Sequence, residues 1–457
     1  MNTSPDSSGP RKVSRRAFLR TTTAATAFLF LPRRVLGGPG QPGANSRLNL
    51  AAVGIGGQGR ADLEEFKNEN IVALCDVDAD YAAHTFNDFP GAKRYTDFRL
   101  MLEKEKGIDA VLVATPDHNH AVVTAAALRH GKHVYCEKPL TRTVDESRVI
   151  ARLAREAGVV TQMGNQGMAF EGNRLINEWI ADGAIGPVHE VHVWSDRPTS
   201  RGRMPLWWPQ GVERPTEMPP VPPTLDWDLW LGPAPYRPYH PAYAPFRWRG
   251  WWDFGSGGIG DMGIHNLAPV FSALKLGAPD SVVGSSTALV SDSVPLASTV
   301  HYRFPARGDL PPVALHWYDG GLRPDRPAEL EEGRELDPED GIIFVGTKGK
   351  ILVTGWGGEH PRILPRSRDL EYQKPPKTLP RSIGHHAEWI AACKGSGVKP
   401  RSNFDFAGPL TEAVLLGSVC IRNGGKKLLW DSANLKFTND PAANQFLHYE
   451  YRKGWEL

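Results

Sequence analysis

The chain has 457 residues, more than one hydrophobic core usually spans, so two domains with appendages are expected. Its 53 Lys and Arg against 51 Asp and Glu leave a net charge of +2, and 40% of the residues are hydrophobic, a globular composition that excludes a disordered or fibrous chain. The longest apolar run, "AATAFLFLP" at 24–32, stops at a proline well short of a membrane span, so no transmembrane segment is expected.

The first segment, 1–36, contains "SRRAFLRTTTAATAFLFLPRRVLG", where Arg15 and Arg16 precede a short, weakly apolar stretch. This pattern resembles a twin-arginine export signal and predicts a periplasmic protein, tethered to the membrane if the leader is not cleaved, since no clean A-x-A site follows. Through Arg47 there are eight basic residues against Asp6, a net +7, so the whole-chain +2 leaves about −5 for the body. A mildly acidic body argues against nucleic acid as a partner. Four cysteines, Cys75, Cys136, Cys393 and Cys420, show no metal spacing and are read as free thiols.

Residues 37–47, "GGPGQPGANSR", form a Gly/Pro linker. From Leu48 short apolar strands alternate with amphipathic helices: strand 48–53, helix near 59–68, strand 71–75, helix 79–87, strand 92–95, helix 98–106, strand 109–114, helix 119–130, strand 133–136, helix 143–157 and strand 159–163. That alternation predicts an α/β fold with an N-terminal doubly wound parallel sheet, a Rossmann domain over 48–165. After about 166 the rhythm changes to a helix, a strand in "PVHEVHVWSD", a Pro/Trp-rich excursion and then mostly strands, with a helical stretch over 384–423. A C-terminal α+β domain with a large, mostly antiparallel open sheet is expected over 166–430, followed by a tail over 431–457.

Strand 48–53 runs into "GIGGQGR", a G-x-G-x-x-G turn whose glycines Gly54, Gly56, Gly57 and Gly59 permit close approach of a pyrophosphate to a helix N-terminus. Asp76, seventeen residues past Gly59 at the end of the second strand, is placed to accept hydrogen bonds from an adenosine ribose and to repel a 2′-phosphate, which favours NAD over NADP. "ATPDHNHA" at 114–121 follows the fourth strand, so Thr115, Pro116, His118, Asn119 and His120 are expected along the carboxyl edge, with Thr115, Pro116, His118 and His120 as cofactor contacts. His118 and His120 form H-x-H without a third ligand in view, and no metal is expected there.

With these pieces "EKPLTRTVDE", "GGIGDMGIH" at 257–265 and the tail "LLWDSANLKFTNDPAANQFLHYEYRKGW", the chain resembles the glucose-fructose oxidoreductase, inositol dehydrogenase and rhizopine catabolism (Gfo/Idh/MocA) family over about 48–457, and its exported bacterial branch in particular. The resemblance implies that Lys138 of the E-K-P motif lies beside the nicotinamide and that Asp261 and His265 complete a sugar site. Lys138 and His265 then serve as acid/base groups, Asp261 orients His265, and Glu137 is an orienting or cofactor-side residue. Spacing i, i+4 would put Asp261 and His265 on one helix face.

Seven tryptophans between 207 and 252 include one or two expected at the pocket, with Arg247 or Arg249 nearby. The implied activity is NAD-dependent hydride transfer on a secondary alcohol of a sugar, cyclitol or glycoside, with tightly held cofactor. A glycoside hydrolase acting by transient oxidation and elimination and a non-catalytic binding protein are the alternatives. Exported members that act as such glycosidases generally lack the Asp-x-x-x-His form. A homodimer or homotetramer pairing through the open sheet is expected.

Overall fold

The computed structural model describes residues 46–457. The twin-arginine segment and most of the linker lie outside them, and Leu48–Leu457 forms one compact unit.

Six short strands build the first sheet: β1 (Asn49–Val53), β2 (Asn70–Cys75), β3 (Lys93–Tyr95), β4 (Ala110–Val113), β5 (His133–Cys136) and β6 (Thr161–Met163). They are all parallel, in the order β3-β2-β1-β4-β5-β6. Helices α1 (Gln58–Glu65), α2 (Ala83–Asp88), α3 (Phe98–Lys104), α4 (Asp117–Arg129) and α5 (Val144–Ala157) make the crossovers. The central strands are apolar along their whole length because both sheet faces are covered, as in β4, where every residue is buried. α5 carries a capping box between Thr143 and Glu146 and ends at Gly158, whose φ of 63° a side chain would oppose.

Two helix starts differ from the sequence reading for local reasons. α2 begins at Ala83, not 79, because Asp78 pairs with Leu225 and the Ala79 amide donates to the Thr224 carbonyl at 2.9 Å. α4 begins at Asp117, two residues earlier than expected, directly after Pro116.

The second sheet has nine strands in the order β13-β12-β11-β7-β10-β9-β8-β14-β15. Its members are β7 (Val188–Ser195), β8 (Ser281–Ser286), β9 (Ser298–Phe304), β10 (Val313–Tyr318), β11 (Asp340–Gly346), β12 (Gly349–Thr354), β13 (His360–Leu364), β14 (Leu428–Asp431) and β15 (Lys436–Phe437). All neighbours are antiparallel except β7 and β10. Alternation sends Ser298, Val300, Tyr302 and Phe304 of β9 inward, under the helices, while Thr299, His301 and Arg303 face out.

Helices α6 (Glu171–Ala181), α7 (Trp227–Leu231), α8 (Ile264–Leu274), α9 (Arg366–Glu371), α10 (His385–Cys393) and α11 (Phe404–Arg422) complete the fold. The expected helical stretch 384–423 is therefore two helices, broken where "GSGVKP" supplies two glycines at positive φ and a proline. α11 is the one helix among the described residues long and apolar enough to cross a membrane, but 83% of it is buried in the protein as the central core helix. The tail does not trail away. β14 and β15 extend the second sheet, and beyond them the Tyr451 hydroxyl donates to Glu146 at 2.6 Å, Arg452 binds Asp228, and Trp455 packs on Phe98. All four cysteines are free thiols.

Candidate active site

The carboxyl edge of the parallel sheet opens into a cavity of about 380 Å³ between the first sheet and the Pro/Trp-rich excursion. At one end the glycine turn is shaped by two close approaches. Gly54 has φ 81°, and a Cβ there would lie 2.6 Å from the Thr115 amide nitrogen. A Cβ at Gly59 would run into the Gly54 carbonyl and sit 3.0 Å from the Ala114 Cβ, so only glycine lets α1 pack this near the strands. Over Gly56 and Gly57 lies the Tyr81 ring, its hydroxyl 2.7 Å from where a Gly57 Cβ would be.

Asp76 holds this turn from the end of β2. Its carboxylate accepts from the Ile55 amide at 2.7 Å and from the Asp78 amide at 3.0 Å. Burial raises its pKa to about 6 in spite of those bonds. A turn with bare backbone, a helix starting at Gln58 and a carboxylate at the second strand together fit a dinucleotide.

At the other end of the cavity Lys138 stands directly after β5, and the Lys138–Pro139 bond is cis. Its Nζ donates to Asp261 Oδ1 at 2.7 Å and to the Asp261 carbonyl at 3.2 Å, while Arg249 Nε reaches the same carboxylate oxygen at 3.4 Å. Burial would raise the Asp261 pKa, but Lys138 and Arg249 outweigh it and hold the carboxyl well below its ordinary range. Asp261 thus addresses Lys138. The chain over Ile259–Gly263 is a π-turn leading into α8, not a regular helix carrying Asp261 and His265 on one face. Among the described residues no hydrogen bond joins Asp261 to His265.

His265 is buried, 7% exposed, with its ring edge-on to Trp356 at 5.0 Å and Nδ1 without a hydrogen-bond partner. Burial first, then the Lys138 charge, lower its pKa to about 3, so the imidazole is neutral. Glu137 accepts from Gln166 at 2.8 Å and from the Lys138 amide at 3.2 Å, and burial drives its pKa well up.

The "TPDHNHA" residues divide. Thr115, Pro116, Asn119 and His120 line the cavity. His120 bridges two loops, with Nδ1 2.7 Å from the Pro139 carbonyl and Nε2 2.8 Å from that of Thr115. His118 does not line the cavity. It is fully buried with Nε2 2.9 Å from the Trp230 carbonyl and its ring 5.0 Å from those of Trp230 and Phe254. Its work is to anchor the excursion, because the first turn of α4 turns that side chain away from the sheet edge.

Asp117, between Pro116 and His118, does line the cavity, and the sequence reading passed over it although it stands in the quoted motif. It is 4% exposed; burial raises its pKa to about 8 against the opposing pull of Arg249 and Lys138. Tyr81, which no pattern signalled, and Trp455, the last residue of the quoted tail, are further lining residues. Of the seven tryptophans Trp230 and Trp248 face the cavity, Trp207 is 49% exposed, and Arg249, not Arg247, joins the site.

Comparison with known proteins agrees with this geometry. Residues 48–165 match the GFO_IDH_MocA family model, described as an oxidoreductase family with an NAD-binding Rossmann fold, and 204–303 match the model of that family's C-terminal alpha/beta domain. A 1,5-anhydro-D-fructose reductase of Ensifer adhaerens is 43% identical over 79 residues, 17% of this chain and 24% of the reductase. A 2,7-anhydro-N-acetylneuraminate hydratase of Escherichia coli is 28% identical over 147 residues, 32% of this chain and 39% of the hydratase. The chain thus spans less than half the length of these curated relatives. The WlbA dehydrogenase of Bordetella pertussis, solved with NADH and UDP-GlcNAcA, shares the fold with a TM-score of 0.57 at 17% identity, over 84% of this chain and 99% of that one. Both models match in chain order, the NAD-binding one over the parallel-sheet domain and the C-terminal one over part of the second domain, so these two segments are those of the Gfo/Idh/MocA oxidoreductase family.

Proposed function

We propose that this protein uses NAD to move a hydride to or from the carbinol carbon of a sugar, cyclitol or glycoside. The observation that carries the reading is the Lys138 ammonium, held by Asp261 at 2.7 Å in the same cavity as the Gly54–Gly59 turn. Bound NAD supplies the carbon that accepts or returns hydride. Lys138 hydrogen-bonds the substrate hydroxyl and offsets negative charge growing on its oxygen. His265, neutral and with a free Nδ1, takes or gives the hydroxyl proton. Asp261 orients Lys138, Glu137 fixes the Lys138 backbone, and Asp76 with Gly54, Gly56, Gly57 and Gly59 holds the nucleotide.

The twin arginine supports export by that route with the nucleotide already bound. Because free NAD is scarce outside the cytoplasm, a closed redox cycle follows, either between two sugars or within one glycoside. The second cycle, oxidation followed by elimination, addition of water and re-reduction, has one specific support: the hydratase relative acts on an anhydro sugar by name. Pairing of chains through the half-exposed outer sheet face belongs to the same reading, and a monomer in sizing experiments would remove that part.

The test is to purify the exported form without added nucleotide, denature it and quantify the NAD(H) released. Near-stoichiometric NAD is expected; an empty protein would overturn the closed cycle. Release of a phenol from an aryl glycoside without net NADH would select the glycosidase cycle, and release from no anomer would reject it for those substrates.

A further inference from the structure

The outer face of the nine-stranded sheet carries a second cluster of chemistry-bearing groups. Parallel pairing of β7 with β10 sets His316 opposite His192 and Ala314 opposite Glu190, and β9 brings His301 opposite His316. Along β7, Val191 and Val193 enter the core while Glu190 and His192 stand half-buried on the other face. His301 and His316 share that face. None of these residues lines the Lys138 cavity.

Glu190 Oε1 lies 3.2 Å from His192 Nε2 and 3.3 Å from His316 Nε2. One ligand atom from each falls within 4.8 Å of the others. Ligands bound to zinc at about 2.0–2.1 Å stand about 3.3 Å apart along a tetrahedral edge, so two of the three edges already have the required length.

The remaining ring nitrogens are engaged. His192 Nδ1 is 3.1 Å from the Tyr318 hydroxyl, and His316 Nδ1 is 2.6 Å from His301 Nδ1. When each Nδ1 carries the proton in those contacts, both Nε2 atoms are left without a proton within 3.3 Å of the same carboxylate oxygen, and ligating histidines are usually held in that tautomer.

We propose that Glu190, His192 and His316 form a binding site for one divalent transition-metal ion of the zinc class on the outer face of the sheet, with its fourth position left for a water or other outside ligand. Two imidazoles and a carboxylate suit such an ion better than calcium or magnesium, which take oxygen ligands. The competing state keeps the protons on both Nε2 atoms, which then donate to Glu190, and holds no metal.

The experiment uses the full chain without a histidine tag, stripped with chelator and titrated with zinc chloride by calorimetry. One saturable site per chain is expected, with a Kd of about a micromolar or tighter. Glu190→Gln and His316→Ala, each checked for native circular dichroism, are expected to weaken binding at least tenfold. His301→Ala, which spares all three ligands, is expected to weaken it by about tenfold to a hundredfold. No saturable uptake by the unsubstituted chain, or uptake that Glu190→Gln or His316→Ala leaves undiminished, would overturn the assignment.

Discussion

Replacing Lys138 with Met separates the chemistry of this cavity from its electrostatics. The Lys138–Asp261 pair is 2.7 Å apart with side chains 15% and 13% exposed. Its gross attraction is about 6 kcal/mol at an effective dielectric of about 20, most of which offsets the desolvation of both ions. Removing one partner of a buried pair usually costs about 3–5 kcal/mol, because the other charge stays behind unpaired. Here Arg249 Nε remains 3.4 Å from the same oxygen, which moves the expected loss to about 2–3 kcal/mol. The assay is urea unfolding of the unsubstituted chain, Lys138→Met, Asp261→Asn and the double variant. Adding Asp261→Asn to Lys138→Met removes the stranded charge and is expected to recover about 1–2 kcal/mol, a coupling readable from the cycle. Turnover on a confirmed substrate is expected to fall about 10²- to 10⁴-fold in Lys138→Met and to stay low in the double variant. A single variant as stable as the parent, or a double variant no more stable than the single, would refute the reasoning.

Three further outcomes are expected. Gly54→Ala, at φ 81° and with its Cβ 2.6 Å from the Thr115 amide, should cost about 1–3 kcal/mol and weaken NAD binding tenfold or more, as measured by protein fluorescence quenching. Asp76→Ser removes the charge that repels a 2′-phosphate, so the ratio of NADP to NAD affinity should rise about tenfold or more, and an unchanged ratio would detach Asp76 from the ribose. Asp117 has its folded pKa raised to about 8, above the ordinary value of 3.8. The folded state therefore keeps a proton that the unfolded chain loses, and this contribution is lost as pH rises from about 4 to about 8. Asp117→Asn should flatten the fall of stability over that window by up to about 1.4 kcal/mol per pH unit, and parallel unfolding midpoints at pH 5, 6 and 7 would reject the shift.

The parallel sheet was legible because buried strands are short and apolar throughout and helices amphipathic, a signal that each segment carries by itself. What escaped was set by distant partners. α2 starts late because residues 78–79 spend their backbone groups on 224–225, and nothing within the segment announces that. The i, i+4 spacing of Asp261 and His265 implied a shared helix face, but a π-turn intervenes, and the carboxylate answers to Lys138, 123 residues away, and to Arg249. Tryptophan density marked the excursion, while the choice of Trp230 and Trp248 as the two facing the cavity follows from docking of the excursion on β2's exit. The H-x-H of 118–120 implied two cofactor contacts, but only His120 lines the cavity, and both side chains tie loops together. The triad with ligand-like spacing joins strands whose register no local pattern encodes.

The groups around Lys138 differ in charge because their surroundings do. Asp117 and Asp261 are both buried carboxyls, yet Asp261 accepts directly from Lys138 and stays ionised, whereas Asp117 has only the charge of the same cations, with no hydrogen bond from either, against its burial. Below about pH 8 Lys138 and Arg249, on the cavity wall, therefore stand against one anion, Asp261, which does not itself line the cavity, with Asp117 on that wall carrying a proton and His265, also outside the lining, neutral. The surplus positive charge, with burial, keeps the His265 imidazole neutral, and its Nδ1 is without a partner. In the proposed oxidation that pairing has a direct use: the hydroxyl proton leaves to His265 while the oxygen, growing negative, faces Lys138. Were Asp117 ionised as well, the charges would balance and the oxygen would gain little. Its raised pKa is thus part of the site's electrostatics, and the same substitution that tests its titration, Asp117→Asn, should preserve the charge balance and with it most of the turnover.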